Sequence, residues 1–164
     1  MGATITKHQK IGHELLEYCK IKGLHICPLY CKSVCENINL MNSRMTKSSQ
    51  LTQQLVQYLE KHPKIILVNH TSLASHSSNA KYKKYFGELY PSVFTFRVNL
   101  KKNDVLTWMR NSKYDCSTSF GSSKSKFDQW PKCRNNWSLC RFSVGFDDTI
   151  ENLIAEFDNM LSKI

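Results

Sequence analysis

One arginine stands where chemistry could be done. Leu139, Arg141 and Ser143 alternate with Cys140, Phe142 and Val144, the period of a β-strand. A guanidinium among apolar neighbours is costly to bury unless an anion pairs with it. Arg141 therefore either meets an anion or faces solvent from an edge strand, and spacing alone leaves both open. Residues 117–126 form a serine- and glycine-rich loop. It resembles an anion-binding nest only loosely, and a flexible connection explains it equally well. Cys27, Cys31 and Cys35 recur every four residues, hence on one helical face. Zinc ligands come in more closely spaced pairs, so this spacing predicts packed thiols. Lys81, Lys83 and Lys84 interleave with Tyr82 and Tyr85. This cluster reads as a solvated helix face rather than a nucleic-acid groove. No P-loop, HExxH, GxSxG or GxGxxG occurs in the sequence.

These residues need elements to hold them. The strand around Arg141 runs into a turn at Gly145. Asp148, with Glu151 three residues later, predicts an N-cap and capping box. Ile150, Leu153, Ile154, Phe157, Met160, Leu161 and Ile164 then share one helical stripe. Upstream, Ala3 to Thr6 predicts a short strand. A helix follows from about Lys7 until Gly23 stops it, and Pro28 can open the next one. Apolar positions from Leu29 to Leu59 allow a single long helix reaching His62 and ended by Pro63. Ile65 to Val68 predicts a short buried strand, and Lys81 to Phe86 a short helix. Val93 to Leu100 predicts a strand with Phe94, Phe96 and Val98 on one face. Asn103 or Asp104 caps a short helix. The order predicts an α/β chain whose later part is an α+β layer, a sheet with helices packed on one face.

Composition bounds the rest. At 164 residues and 41% hydrophobic content the chain can build one core. No run is long enough to span a membrane, and Lys7, His8 and Lys10 interrupt any signal peptide. Gly2 and Thr6 match a myristoylation pattern, though a strand start explains them as well. Seven cysteines without a CxxC pair predict free thiols in a reducing cytoplasm. The net charge of +10 comes mostly from scattered lysines, so nucleic acid is not the favoured partner.

A family comes into view in the stretch Leu139-Cys-Arg-Phe-Ser-Val-Gly-Phe-Asp-Asp148. It resembles the closing "RxSVGxED" strand of the cystathionine lyase and synthase group, pyridoxal-phosphate enzymes of cysteine and methionine metabolism. Ser119-Phe-Gly121 resembles that family's "S-W/L-G-G" turn, and Lys61-His-Pro-Lys64 its "EHPxV" helix end. Val68-Asn-His70 and Tyr82-Lys-Lys-Tyr-Phe86 are similar to the "VNHPAL…WKRDF" run of bacterial cystathionine β-lyases. Val93-Phe-Thr-Phe96 is similar to the "LFSF" strand, and residues 1–6 to the "GGxxxT" strand. The order of these segments is the family's order. Departures are Ser122 for the second glycine, Phe120 for tryptophan or leucine, Lys124 for glutamate and Thr71 for proline.

The resemblance implies the C-terminal part of an aspartate-aminotransferase-like, pyridoxal-phosphate-dependent transferase fold. Residues 1–45 would be a remnant of the large cofactor domain leading into a long connector helix. Residues 46–164 would be the small C-terminal domain. The family activity it implies is β-elimination of cystathionine to homocysteine, pyruvate and ammonia. The Schiff-base lysine and phosphate-holding amides would lie in a part this sequence does not contain. The chain alone would then bind no pyridoxal phosphate and be inactive, unless an N-terminal half chain completes it. By resemblance Arg141 grips the substrate carboxylate, Ser119 contacts it or lines the site, and Phe120 walls it. The resemblance also implies a cytoplasmic homo-oligomer and an Arg141 open toward a shallow basic groove.

Overall fold

A computed structural model describes residues 4–100, 102–118, 120–128 and 139–164, with the side chains at 102 and 103 left out. The chain forms two compact units, residues 1–41 and 42–164.

In the first unit, α1 spans Gln9–Ile21 and α2 spans Pro28–Ile38. Gly23 adopts φ 64° just after α1, where the Leu24 amide donates to the Cys19 carbonyl. That left-handed conformation suits glycine, which has no Cβ to clash. Pro28 sits at the start of α2, where its missing N–H costs nothing. Residues 4–6 are not a strand, so the alternation there does not set the structure. A lone short strand has no hydrogen-bonding partner in that segment to form against. Neither helix has a buried residue. Cys27, Cys31 and Cys35 are exposed rather than packed, as are Leu29, Tyr30, Val34 and Ile38 on the same helix.

The second unit carries the core. The continuous helix expected from Leu29 to His62 is instead two helices. α2 ends at Ile38, residues 39–40 form a turn, and α3 spans Met41–Glu60. Val34, Ile38, Met41 and Met45 keep helical spacing across this turn, so the apolar pattern does not mark the break. β1 (Ile65–Asn69), α4 (Asn79–Phe86), β2 (Val93–Val98) and α5 (Lys102–Arg110) follow. Next come β3 (Asp115–Cys116), β4 (Lys126–Phe127), β5 (Leu139–Ser143) and α6 (Ile150–Ser162). Asn103 and Asp104 lie inside α5 rather than capping it.

The five strands form one sheet in the order β1-β2-β5-β4-β3. All pairings are antiparallel except the parallel β3–β4 pair. β1 is an edge strand with a register shift between Ile65 and Leu67. It is less buried than its composition predicts: Val68 is buried, but Ile66 and Leu67 are each 51% exposed.

One face of the sheet meets α3, α5 and α6. Phe94, Phe96 and Val98 of β2 point to that face, as the alternation predicts. They share a single cluster with Phe127, Cys140 and Phe142, and with Leu55, Leu59, Trp108, Leu153, Phe157 and Met160 from the helices. Phe96 packs edge-on against Trp108 and Phe157, and Phe142 against Phe157. Each fully buried large apolar side chain contributes roughly 1.5–3 kcal/mol. The core thus fixes which residues of β2 and β5 must point the other way.

Candidate functional site

Thr95, Arg97, Leu139 and Arg141 alternate with the core residues and therefore lie on the opposite sheet face. Arg141 pairs across the ladder with Thr95, one strand from the Asn69 position. Asn69 Nδ2 donates to Thr95 Oγ1 at 3.4 Å. The Arg141 side chain is 42% exposed. Its Nη2 is paired with a carboxylate oxygen of Asp128, a residue only 2% exposed. The Asp128 amide also donates to the Arg141 carbonyl at 3.0 Å, which locks the two residues in register just beyond β4.

Phe120 completes the arrangement. The Arg141 guanidinium carbon sits 4.3 Å from the centre of the Phe120 ring, a cation–π contact. Phe120 is held by the way its loop is fastened. The Gly145 amide donates to Ser125 Oγ at 2.9 Å, and the Asp147 amide to the Ser123 carbonyl at 2.9 Å. Ser125 Oγ donates in turn to Asp148, which also accepts from the Tyr114 hydroxyl at 3.3 Å. Burial and the nearby Asp148 carboxylate raise the Tyr114 pKa well above its usual value. A side chain at position 145 would fall 2.2 Å from the Ser123 carbonyl oxygen, so the close approach of loop and turn requires glycine. The loop is therefore stitched at Ser123 and Ser125 to the turn after β5 rather than being a free connection there.

Asp148 is thereby committed to Tyr114 and Ser125, and it is not the cap of α6. Thr149 is the N-cap, accepting from the Asn152 amide at 3.3 Å. The capping signal was displaced by one residue because Thr149 has a capping hydroxyl of its own.

Of the residues the sequence singled out, the structure brings Arg141 and Phe120 together. Ser119 lies outside the described residues. Arg141 does not open onto a shallow basic groove, because Asp128 faces it. Asp128 was the residue that sequence reading missed. Nothing in its local spacing marks it, and its importance comes only from the β4–β5 pairing that sets it beside Arg141.

The arrangement can hold an anion but not a whole cofactor. Pyridoxal phosphate needs a lysine amine for its aldehyde carbon and several donors around its phosphate. Around Arg141 the described side chains are a carboxylate and a phenyl ring, with Thr95 opposite in register. That set does not fit the cofactor. A planar guanidinium does fit a carboxylate such as that of an amino acid.

Comparison with known proteins adds the family context. A model of the family described as Cys/Met metabolism PLP-dependent enzyme matches residues 1–162. A chloroplastic cystathionine beta-lyase of Mimosa pudica is 26% identical over 179 residues, covering 98% of this chain and 38% of that protein. The chain thus spans well under half the length of that curated relative. The metB protein of Corynebacterium glutamicum superposes with a TM-score of 0.85 at 17% identity, over 97% of this chain and 44% of that one. An O-acetylhomoserine (thiol)-lyase of Campylobacter jejuni superposes with a TM-score of 0.69 at 22% identity. That match covers 77% of this chain and 30% of the other, whose structure carries a pyridoxyl group on a lysine. The sheet with helices on one face is thus the fold of the corresponding part of pyridoxal-phosphate-dependent enzymes.

Proposed function

The chain belongs to the Cys/Met metabolism PLP-dependent enzyme family, and from that premise we propose that it is the substrate-gripping C-terminal portion of a cystathionine β-lyase-like enzyme. Residues 46–164 act as the small domain, and residues 1–45 are a remnant of the large cofactor domain. Arg141 receives the α-carboxylate of an amino acid, Phe120 walls the guanidinium, and Ser119 lines the same site. One observation carries this reading. The core fixes β5 so that Arg141 emerges half-exposed on the face away from the helices, with an aromatic ring over its guanidinium. That leaves the guanidinium within reach of a ligand carboxylate.

The chain's own residues bind and orient: Arg141 takes the carboxylate and Phe120 supports the guanidinium plane. The chemistry that pyridoxal phosphate supplies in the family is the stabilisation of carbanion charge during carbon–sulfur cleavage. The described residues gathered at Arg141 do not fit that group, so the chain by itself is expected to lack lyase activity; its free thiols suit a reducing cytoplasm. The test uses arginine-labelled protein and the Arg141 Nε–H resonance. L-Cystathionine should shift that resonance, and its carboxamide analogue should not. An unmoved resonance at saturating concentration would overturn the reading.

A second reading is favoured by the first unit. α1 and α2 bury nothing, while Leu16, Tyr18, Ile21, Leu29, Tyr30 and Ile38 are exposed. Apolar surface of this kind suits a covering chain. Under this reading the protein is half of a split lyase and also self-associates when its partner is absent. Mixing it with the amino-terminal part of a cystathionine β-lyase should yield free thiol from cystathionine. A strictly monomeric chain with no activity on mixing would defeat it.

A further inference from the structure

We infer that Asp128 is a built-in carboxylate that competes with ligand carboxylates for Arg141, so the anion site is gated by the chain itself. The inference rests on the reading of Arg141 as a carboxylate site and extends it to a residue that reading does not assign.

The geometry is specific. A guanidinium captures a carboxylate with two parallel hydrogen bonds along one of two edges, Nε with Nη2 or Nη1 with Nη2. Nη2 belongs to both edges, and it is the atom Asp128 holds. Nε is buried and has no hydrogen-bond partner among the described residues. The Nε–Nη2 edge is therefore shut at one corner by Asp128 and at the other by burial. The other edge keeps a shared corner. Asp128 also cancels the arginine's charge, which weakens its pull on a second anion and repels a second carboxylate.

The cation remains accessible enough for exchange, because 42% of the Arg141 side chain is exposed. Asp128 is pre-placed by its amide's bond to the Arg141 carbonyl, so it competes at high effective concentration. An incoming ligand carboxylate must turn the Asp128 side chain away from Nη2, the corner that both edges share, before it can make two parallel hydrogen bonds. Phe120 supports the guanidinium plane in either state. The site thus has a low resting affinity for simple carboxylates. It selects ligands that carry further contacts able to offset the displacement.

Acetate is the probe, titrated into the full chain and followed at the Arg141 Nε–H resonance and the Asp128 carboxyl carbon. Asp128→Asn and Asp128→Ser should each bind acetate on the order of 10- to 100-fold more tightly than the native chain, the worth of one charge-assisted hydrogen bond. In the native chain, acetate at saturation should move the Asp128 carbon resonance together with the arginine one. Equal acetate affinity in native and variant chains, with an Arg141 shift in all, would overturn the gate and leave Arg141 as a carboxylate site. An arginine shift in the native chain with a static Asp128 carbon would also overturn it, even if neither variant folds. No arginine shift in any chain would overturn both readings together.

Discussion

Replacing Arg141 by methionine removes the charge while keeping most of the stem, and its cost can be worked from the pair it breaks. Asp128 is 2% exposed and would remain as a buried carboxylate without its cation. Breaking a fully buried pair from one side costs roughly 3–5 kcal/mol. Here the arginine is 42% exposed, so water already screens part of the interaction. The expected cost drops to about 2–3 kcal/mol. Loss of the Phe120 contact adds about 0.5–1 kcal/mol, which Phe120→Leu measures separately. For a chain of this size the sum lowers Tm by about 5–15 °C. Near-ultraviolet circular dichroism, with Trp108 in the core as reporter, follows the unfolding. The decisive comparison is the cycle through Asp128→Asn. With the carboxylate neutralised, Arg141→Met should cost at least about 1.5 kcal/mol less than in the native background. A coupling within about 0.5 kcal/mol of zero would refute the claim that the two residues act as a pair.

Three further outcomes follow from other parts of the molecule. His70 is buried between Ser72 Oγ and the Pro91 carbonyl, and burial, reinforced by His76 and opposed by the Pro91 bond, lowers its pKa from 6.5. The unfolded chain therefore takes up a proton that the folded chain resists, so stability should hold above pH 6.5 and fall as pH drops below it toward the folded value. Urea titrations of the native chain and His70→Gln between pH 5 and 8 check this, the variant's curve being flatter. Gly145→Ala should cost about 2 kcal/mol or more, because the added carbon meets the Ser123 backbone at 2.2 Å; a neutral change in the urea midpoint would refute that approach. Burial pushes the Cys140 thiol up to about 12, while Cys27, Cys31 and Cys35 are exposed, so peptide mapping after brief alkylation should find the latter three labelled and Cys140 bare.

What the sequence made legible follows from where its information is local. The faces of β2 and β5 could be read because Phe94, Phe96, Val98, Cys140 and Phe142 alternate within single strands. The stripe of α6 could be read for the same reason at helical period. The ends were harder to place. The α6 cap was read one residue early, since Asp148 and Thr149 both can cap and only the Tyr114 and Ser125 contacts decide between them. The exposure of β1 depends on its place at the edge of the sheet, which no pattern within Ile65–Asn69 announces. The cysteines of α2 share a helical face as their spacing requires, but spacing does not say whether another element covers that face.

Arg141 sharpens this distinction. Its strand and outward direction were local and readable, and so was the oddity of its charge. Both sequence-level alternatives, an anion partner and a solvent-facing edge, hold in part, because the side chain is half-exposed and also ion-paired. The pairing partner lies thirteen residues upstream, brought near by the β4–β5 ladder. A carboxylate so placed stabilises the empty site by neutralising a partly buried cation. By the same contact it opposes the ligand that the cation is suited to receive. Stability and affinity are therefore set against each other at a single atom, Nη2. A substitution at Asp128 that strengthens anion binding should weaken the resting fold, and the two effects should scale together across a series of replacements at that position.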